Sequence, residues 1–120
     1  VLLRPVDPER SHRFYGETLG LAVYREFGTP PHHGVVYFTG GGYLEVSGQS
    51  AQAAGPNLQL WLQVRDVDAE FARLSGSGVA VLAEPEVMPW GLKEMWIADP
   101  DGVRIAVVEV PADHPLRRRP

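Results

Sequence analysis

Three tryptophans, two glutamates and a few arginine, tyrosine and glutamine side chains are what this chain could offer a small molecule. Trp61 lies in "NLQLWLQV", Trp90 in "MPWGL" and Trp96 in "KEMWIA". Side chains alternate between the two faces of a strand, so Gln59, Trp61 and Gln63 share one face, and Leu58, Leu60, Leu62 and Val64 take the other. The same rule sets Tyr43 and Glu45 against Leu44 and Val46, and puts Glu94 with Trp96. It also sets Arg104, Ala106 and Val108 against Val103, Ile105 and Val107. Trp90, between Pro89 and Gly91, sits on a loop where it could act as a lid.

Flat indole walls bind planar ligands by stacking and area burial, while Arg4, Glu45, Gln59, Gln63 and Arg104 could fix orientation by hydrogen bonds. Glu45 and Glu94 would attract a cationic group on the ligand. A carboxylate in an aromatic pocket can also act as a general base, and Glu45 is the best candidate for that role. No nucleophile or oxyanion hole is identifiable beside it. Two structural readings stay open: each Trp could pack in a core or an interface, and Arg4 or Arg104 could pair with Glu45.

The histidines offer no metal spacing. His32 and His33 are adjacent in "GTPPHHGVV", and neighbours on a strand point to opposite faces. His12 falls on the polar side of a helix and His114 in the tail, neither with a partner at ligand spacing. The chain has no cysteine, which excludes disulfides and thiolate chemistry and fits a reducing cytoplasm. A net charge of −4 argues against a nucleic-acid partner, and the basic run "LRRRP" reads as a solvated tail. No apolar run approaches the roughly 18 residues of a membrane span. The opening "VLLRPVDPERS" is too short in its apolar part, and too charged, for a signal peptide.

Two similar halves must position these residues. At 120 residues, 44% of them hydrophobic, the chain is expected to be one domain with a real core. "VLLRPV" is a short apolar run. Asp7 then makes an N-cap, Pro8 suits the first turn, and a helix follows with Phe14, Tyr15 and Leu19 on one face and Gly20 at its end. Three strand-like runs come next: "LAVYREF", "GVVYFT" and "YLEVS". The second half repeats the order. "NLQLWLQV" is a strand, and Asp66 caps a helix with Val67, Phe71 and Leu74 on one face. "VAVLAEP", "KEMWIA" and "RIAVVEV" complete it, the last two joined by the turn residues Asp99-Pro100-Asp101-Gly102. The modules span residues 1–50 and 57–110, with a linker at 48–57 and a tail at 111–120. Each is too small to bury both sides of its own sheet.

"RSHRFYGETLGL", "LQVRDVDAEFARL" and "DPDG" together make the chain resemble the vicinal oxygen chelate superfamily, the group of glyoxalases, bleomycin resistance proteins and extradiol dioxygenases. The resemblance implies an α+β fold of paired βαβββ modules forming a cup-shaped, mixed but mostly antiparallel sheet, commonly completed by dimerisation. It also implies four places for metal ligands. The first falls just before Val1, the second on Glu45, the third on Gln59 and the fourth on Ala106. One carboxylate, one neutral amide and one methyl group do not supply the donors that a divalent cation needs.

The resulting expectation is a cytoplasmic, homodimeric small-molecule binding protein nearest the metal-free bleomycin-resistance-like branch, with no cofactor and no metal. The ligand would be a planar or aromatic compound such as an antibiotic. Its expected site residues are Arg4, Tyr43, Glu45, Gln59, Trp61, Gln63, Trp90, Glu94, Trp96 and Arg104. The alternatives are a metal-dependent lyase or dioxygenase of the glyoxalase type and a metal-free acid–base enzyme using Glu45.

Overall fold

Asp7 starts the first helix as its side chain dictates. In the computed structural model, which describes residues 1–30 and 32–114, its carboxylate accepts the Arg10 N–H at 3.2 Å, and Pro8 occupies the first turn of α1 (Pro8–His12). The basic run at 116–120 lies outside the described residues. The expected single helix changes pitch after His12: Arg13–Thr18 are π-helical, and the Leu19 N–H reaches back to the Phe14 carbonyl at 2.8 Å. Within this wider turn both Phe14 and Tyr15 are buried, although they are neighbours. Gly20 then ends the helix at φ +70°, a conformation that suits glycine.

Strand β1 (Leu2–Leu3) precedes α1, and β2 (Val23–Phe27), β3 (Gly34–Phe38) and β4 (Tyr43–Ser47) follow it. They form a sheet in the order β1-β4-β3-β2, with β1 parallel to β4 and the other pairs antiparallel. The second half matches it: β5 (Gln59–Val64), α2 (Val67–Ser75), β6 (Ala80–Val87), β7 (Lys93–Ala98) and β8 (Arg104–Glu109) give a sheet in the order β5-β8-β7-β6. Here β5 runs parallel to β8. Asp66 caps α2 by accepting the Ala69 N–H at 3.0 Å, as its position before an apolar face requires. The architecture is thus α+β, two βαβββ units with four-stranded mixed sheets.

One apolar cluster draws on both units. Val35, Tyr37, Leu44 and Val46 come from the first sheet, Leu62, Ile97, Ile105 and Val107 from the second, and Phe14, Tyr15, Val67 and Leu74 from the helices. Burial of this shared surface is the main force holding the halves together. Polar contacts fix their register. The Tyr15 hydroxyl donates to Asp99 at 2.7 Å, and Asp101 accepts from the Val6 N–H at 2.9 Å and from Arg10 at 2.8 Å. Asp99 also accepts the N–H groups of Asp101 and Val103, which shapes the turn between β7 and β8. Burial pushes the Asp99 carboxyl above its ordinary range in spite of these donors. Burial, and then the Asp99 charge, likewise push the Tyr15 phenol up.

Candidate functional site

The turn between β3 and β4 carries the first unit to the edge of the second. Gly40-Gly41-Gly42 lie against β5, and the Gln63 N–H donates to the Thr39 carbonyl at 3.1 Å. At Gly40 the backbone has φ +85°, and a Cβ would stand 2.6 Å from the Gln63 carbonyl oxygen. A Cβ on Gly41 would meet the Trp61 ring at 3.3 Å, so the indole rests close against this turn. At Gly40 that approach requires glycine.

Beside the turn opens a hollow of about 290 Å³, lined among others by Thr39, Tyr43, Leu44, Gln59, Leu60 and Trp61. Tyr43 and Trp61 are large apolar side chains that remain 53% and 43% exposed there. Alternation along β3 buries Tyr37 and turns Phe38 outward, next to Tyr43 on β4. Tyr24 joins them because β2 bulges between Val23 and Arg25. The rings of Tyr24, Phe38 and Tyr43 stand 5.0–5.3 Å apart in tilted or edge-on contact, and all three are exposed. The first sheet therefore presents an open aromatic surface beside Trp61.

Glu45 is half-buried two residues along β4 from Tyr43, so both lie on that outward face. Its carboxylate accepts the Ser47 hydroxyl at 2.8 Å, and the Ser47 carbonyl accepts from Arg4 at 3.3 Å. Among the described residues neither Arg4 nor Arg104 forms an ion pair with Glu45; the four ion pairs are Arg10–Asp101, His33–Glu26, Arg73–Glu70 and Lys93–Asp68. Arg104 is exposed on β8 opposite Gln59, and Gln63 is half-buried on β5.

The other expected residues occupy a different place. Trp61 on β5 and Trp96 on β7 both pair with Ala106 on β8, so the three form one row across the sheet. Leu92 and Val110 join Ala106 and Val108 in a second apolar cluster, against which Trp96 packs. The chain itself thus covers this part of the face. Glu94 is buried and accepts the Trp90 indole N–H at 2.6 Å, while the Trp90 carbonyl bonds His114 at 3.3 Å. Trp90, Glu94, Trp96 and Arg104 do not line the hollow at Tyr43 and Trp61.

The structure brings Tyr43, Gln59 and Trp61 together, with Glu45 nearby. Sequence reading missed Tyr24 and Phe38. Phe38 was visible in principle, as the outward neighbour of Tyr37; Tyr24 was hidden, because a bulge breaks the alternation on which the reading relied.

Of the positions that the resemblance assigns to metal ligands within this chain, Gln59 and Ala106 do not supply the donors a divalent cation needs. Ala106 is 3% exposed, offers only a methyl group, and lies between two indoles. Among the described residues no three His or carboxylate side chains converge as a ready cation site. No helix among them is long and apolar enough to cross a membrane.

Residues 1–107 match the family described as the Glyoxalase/Bleomycin resistance protein/Dioxygenase superfamily. No curated protein matches significantly. Among solved structures the chain is similar to a member of that superfamily from Sphaerobacter thermophilus DSM 20745, at 27% identity over 92% of this chain and 94% of that one, with a TM-score of 0.72. It is similar to TnmS3, an antibiotic binding protein from Streptomyces sp. CB03234, at 28% identity over 92% and 93%, with a TM-score of 0.75. A glyoxalase-related enzyme from Fulvimarina pelagi is similar at 27% identity over 93% and 86%, with a TM-score of 0.71.

Proposed function

We propose that this chain, which belongs to the Glyoxalase/Bleomycin resistance protein/Dioxygenase superfamily, binds a planar or aromatic small molecule without a metal in the family's cleft. The observation that carries this reading is the exposed group Tyr24, Phe38 and Tyr43, with Trp61 beside it across the hollow. Exposed rings a few ångströms apart gain stacking energy and bury area when a flat ligand covers them. Glu45 supplies an acceptor on the same face, and Gln59 an amide at the hollow. The likeness to an antibiotic binding protein supports an antibiotic as the ligand class. Ala106 and Gln59 speak against a metal-dependent lyase or dioxygenase, since together they remove two of the family's four donors. Location in the cytoplasm, consistent with the lack of cysteine, is part of the same reading.

We also propose that the chain forms a homodimer with two clefts, to which the exposed apolar area of this face could contribute. Titration of the purified protein with a panel of planar aromatic antibiotics, followed by tryptophan fluorescence, tests the binding. Saturable quenching that Trp61→Phe abolishes is the expected result. A stoichiometric metal held through Glu45, or no response to any compound, would refute the reading.

A further inference from the structure

The second sheet buries a carboxylate with no opposite charge paired to it. Glu94 on β7 is 7% exposed, and its hydrogen bond comes from the Trp90 indole N–H, 2.6 Å from Oε2. Among the described residues no donor reaches its Oε1, and none of the four ion pairs includes it. Lys93, its neighbour on β7, is turned to the other face and pairs with Asp68. Arg104 stands at the far end of β8, opposite Ala98. Burying a charge without a counter-ion is costly, so stability alone does not explain a glutamate here.

The adjacent strand makes the place more anionic. Glu86 on β6 is directly opposite Glu94 in the register, so the two side chains rise from one face with Cβ atoms about 5 Å apart. Like charges in that relation repel, and Glu86 is exposed, which gives the pair a side open to solvent. Trp90 completes the group. Met88 N–H donates to the Leu92 carbonyl and Gly91 N–H to the Met88 carbonyl, both at 2.8 Å, which closes the loop that carries it. Its ring is thus held beside the Glu94 carboxylate and still remains 56% exposed.

Two carboxylates beside an exposed indole suit an organic cation, whose charge they neutralise and whose body the ring covers. A metal ion suits the place less, since no three donors converge among the described residues and an indole offers no lone pair.

We infer that Glu94, Glu86 and Trp90 hold an ammonium or guanidinium group, and that the ligand is a cationic aromatic compound. The aromatic part of that ligand rests on the binding surface proposed above, whereas the cationic part does not. Trp61 and Trp96 are two strands apart in one row, and Glu94 lies two residues along β7 from Trp96. Ordinary strand spacings then put Glu94 roughly 12 Å from Trp61, within reach of an alkyl arm on a ring.

The test compares two probes on the full chain by calorimetry at low salt. One is anthracene with a hexylammonium arm, the other anthracene with the matching hexanol arm. The ammonium probe is expected to bind at least about tenfold more tightly, an advantage that added salt reduces. Glu94→Gln should erase the advantage and leave the alcohol probe unchanged, and Glu86→Gln should reduce it severalfold. Gln still accepts the Trp90 N–H, so a glutamate that only positions Trp90 would show no such loss. Tm should hold or rise once the buried charge is gone. Glu45→Gln should keep the advantage. Equal binding of the two probes overturns the inference, as does an advantage that survives Glu94→Gln or vanishes in Glu45→Gln. An alcohol probe that fails to bind, or binds equally to Trp61→Phe, overturns the aromatic surface instead and leaves the Glu94 site standing.

Discussion

Trp61 and Trp96 stand on either side of Ala106, each directly opposite it in the strand register. The two indoles nevertheless do different work. Trp61 faces the hollow beside Tyr43, whereas Trp96 packs on the cluster that buries Ala106. That difference separates a ligand contact from a structural one, and it can be measured.

Trp61→Ala and Tyr43→Ala should each weaken ligand binding about tenfold or more, since a stacked ring is worth about 0.5–1.5 kcal/mol beyond its buried area. Their unfolding free energies should change by less than about 1 kcal/mol, as Tyr43 and Trp61 are 53% and 43% exposed. Trp96→Ala should instead cost about 2 kcal/mol or more in urea unfolding, because it empties packed space. Equal effects of Trp61→Ala and Trp96→Ala on binding would show that the assignment of roles is mistaken.

Ala106→Glu restores a carboxylate where the family would place one. At 3% exposure, between two Trp residues and clustered with Leu92, Val108 and Val110, the position leaves the new side chain no room. A loss of about 3 kcal/mol or more is expected from overpacking and an unpaired buried charge. A stable variant that gains stoichiometric metal would contradict this.

Tyr15→Phe removes a hydroxyl donor to Asp99 and leaves a buried carboxylate oxygen short of a partner. Unfolding should become easier by about 1–3 kcal/mol. A change below a few tenths would mean that the bond between the two halves carries no net weight.

Asp99 also makes stability depend on pH. Its folded carboxyl sits above the unfolded value because burial opposes the charge. The protonated form is therefore the one the fold favours: its contribution is complete below the ordinary carboxylate range and is lost as pH rises through the raised folded value. Relative to Asp99→Asn, whose side chain does not titrate, wild-type Tm should fall as pH goes from about 3 to 7. A constant difference between the two proteins, or one that moves the other way, would rule out Asp99 as the cause.

The caps, the repeat and the strand faces were legible in the residues, because Asp7, Asp66 and the alternation in "NLQLWLQV" act through neighbours a few positions away. Phe38 was legible by the same rule and was overlooked, while Tyr24 escaped it through the bulge.

By itself the sequence determined the two βαβββ units and the turn at Asp99–Gly102, consequences of local propensity, while the absence of donors at Gln59 and Ala106 was legible only through the family resemblance. Only the tertiary structure decided which aromatic side chains stay open. Trp96 is half-buried because it packs against the cluster of Leu92, Ala106, Val108 and Val110, and Trp61 is left open where a glycine turn from the other half stops beside it. Both outcomes depend on contacts between distant segments, whose shape no periodicity along the chain encodes.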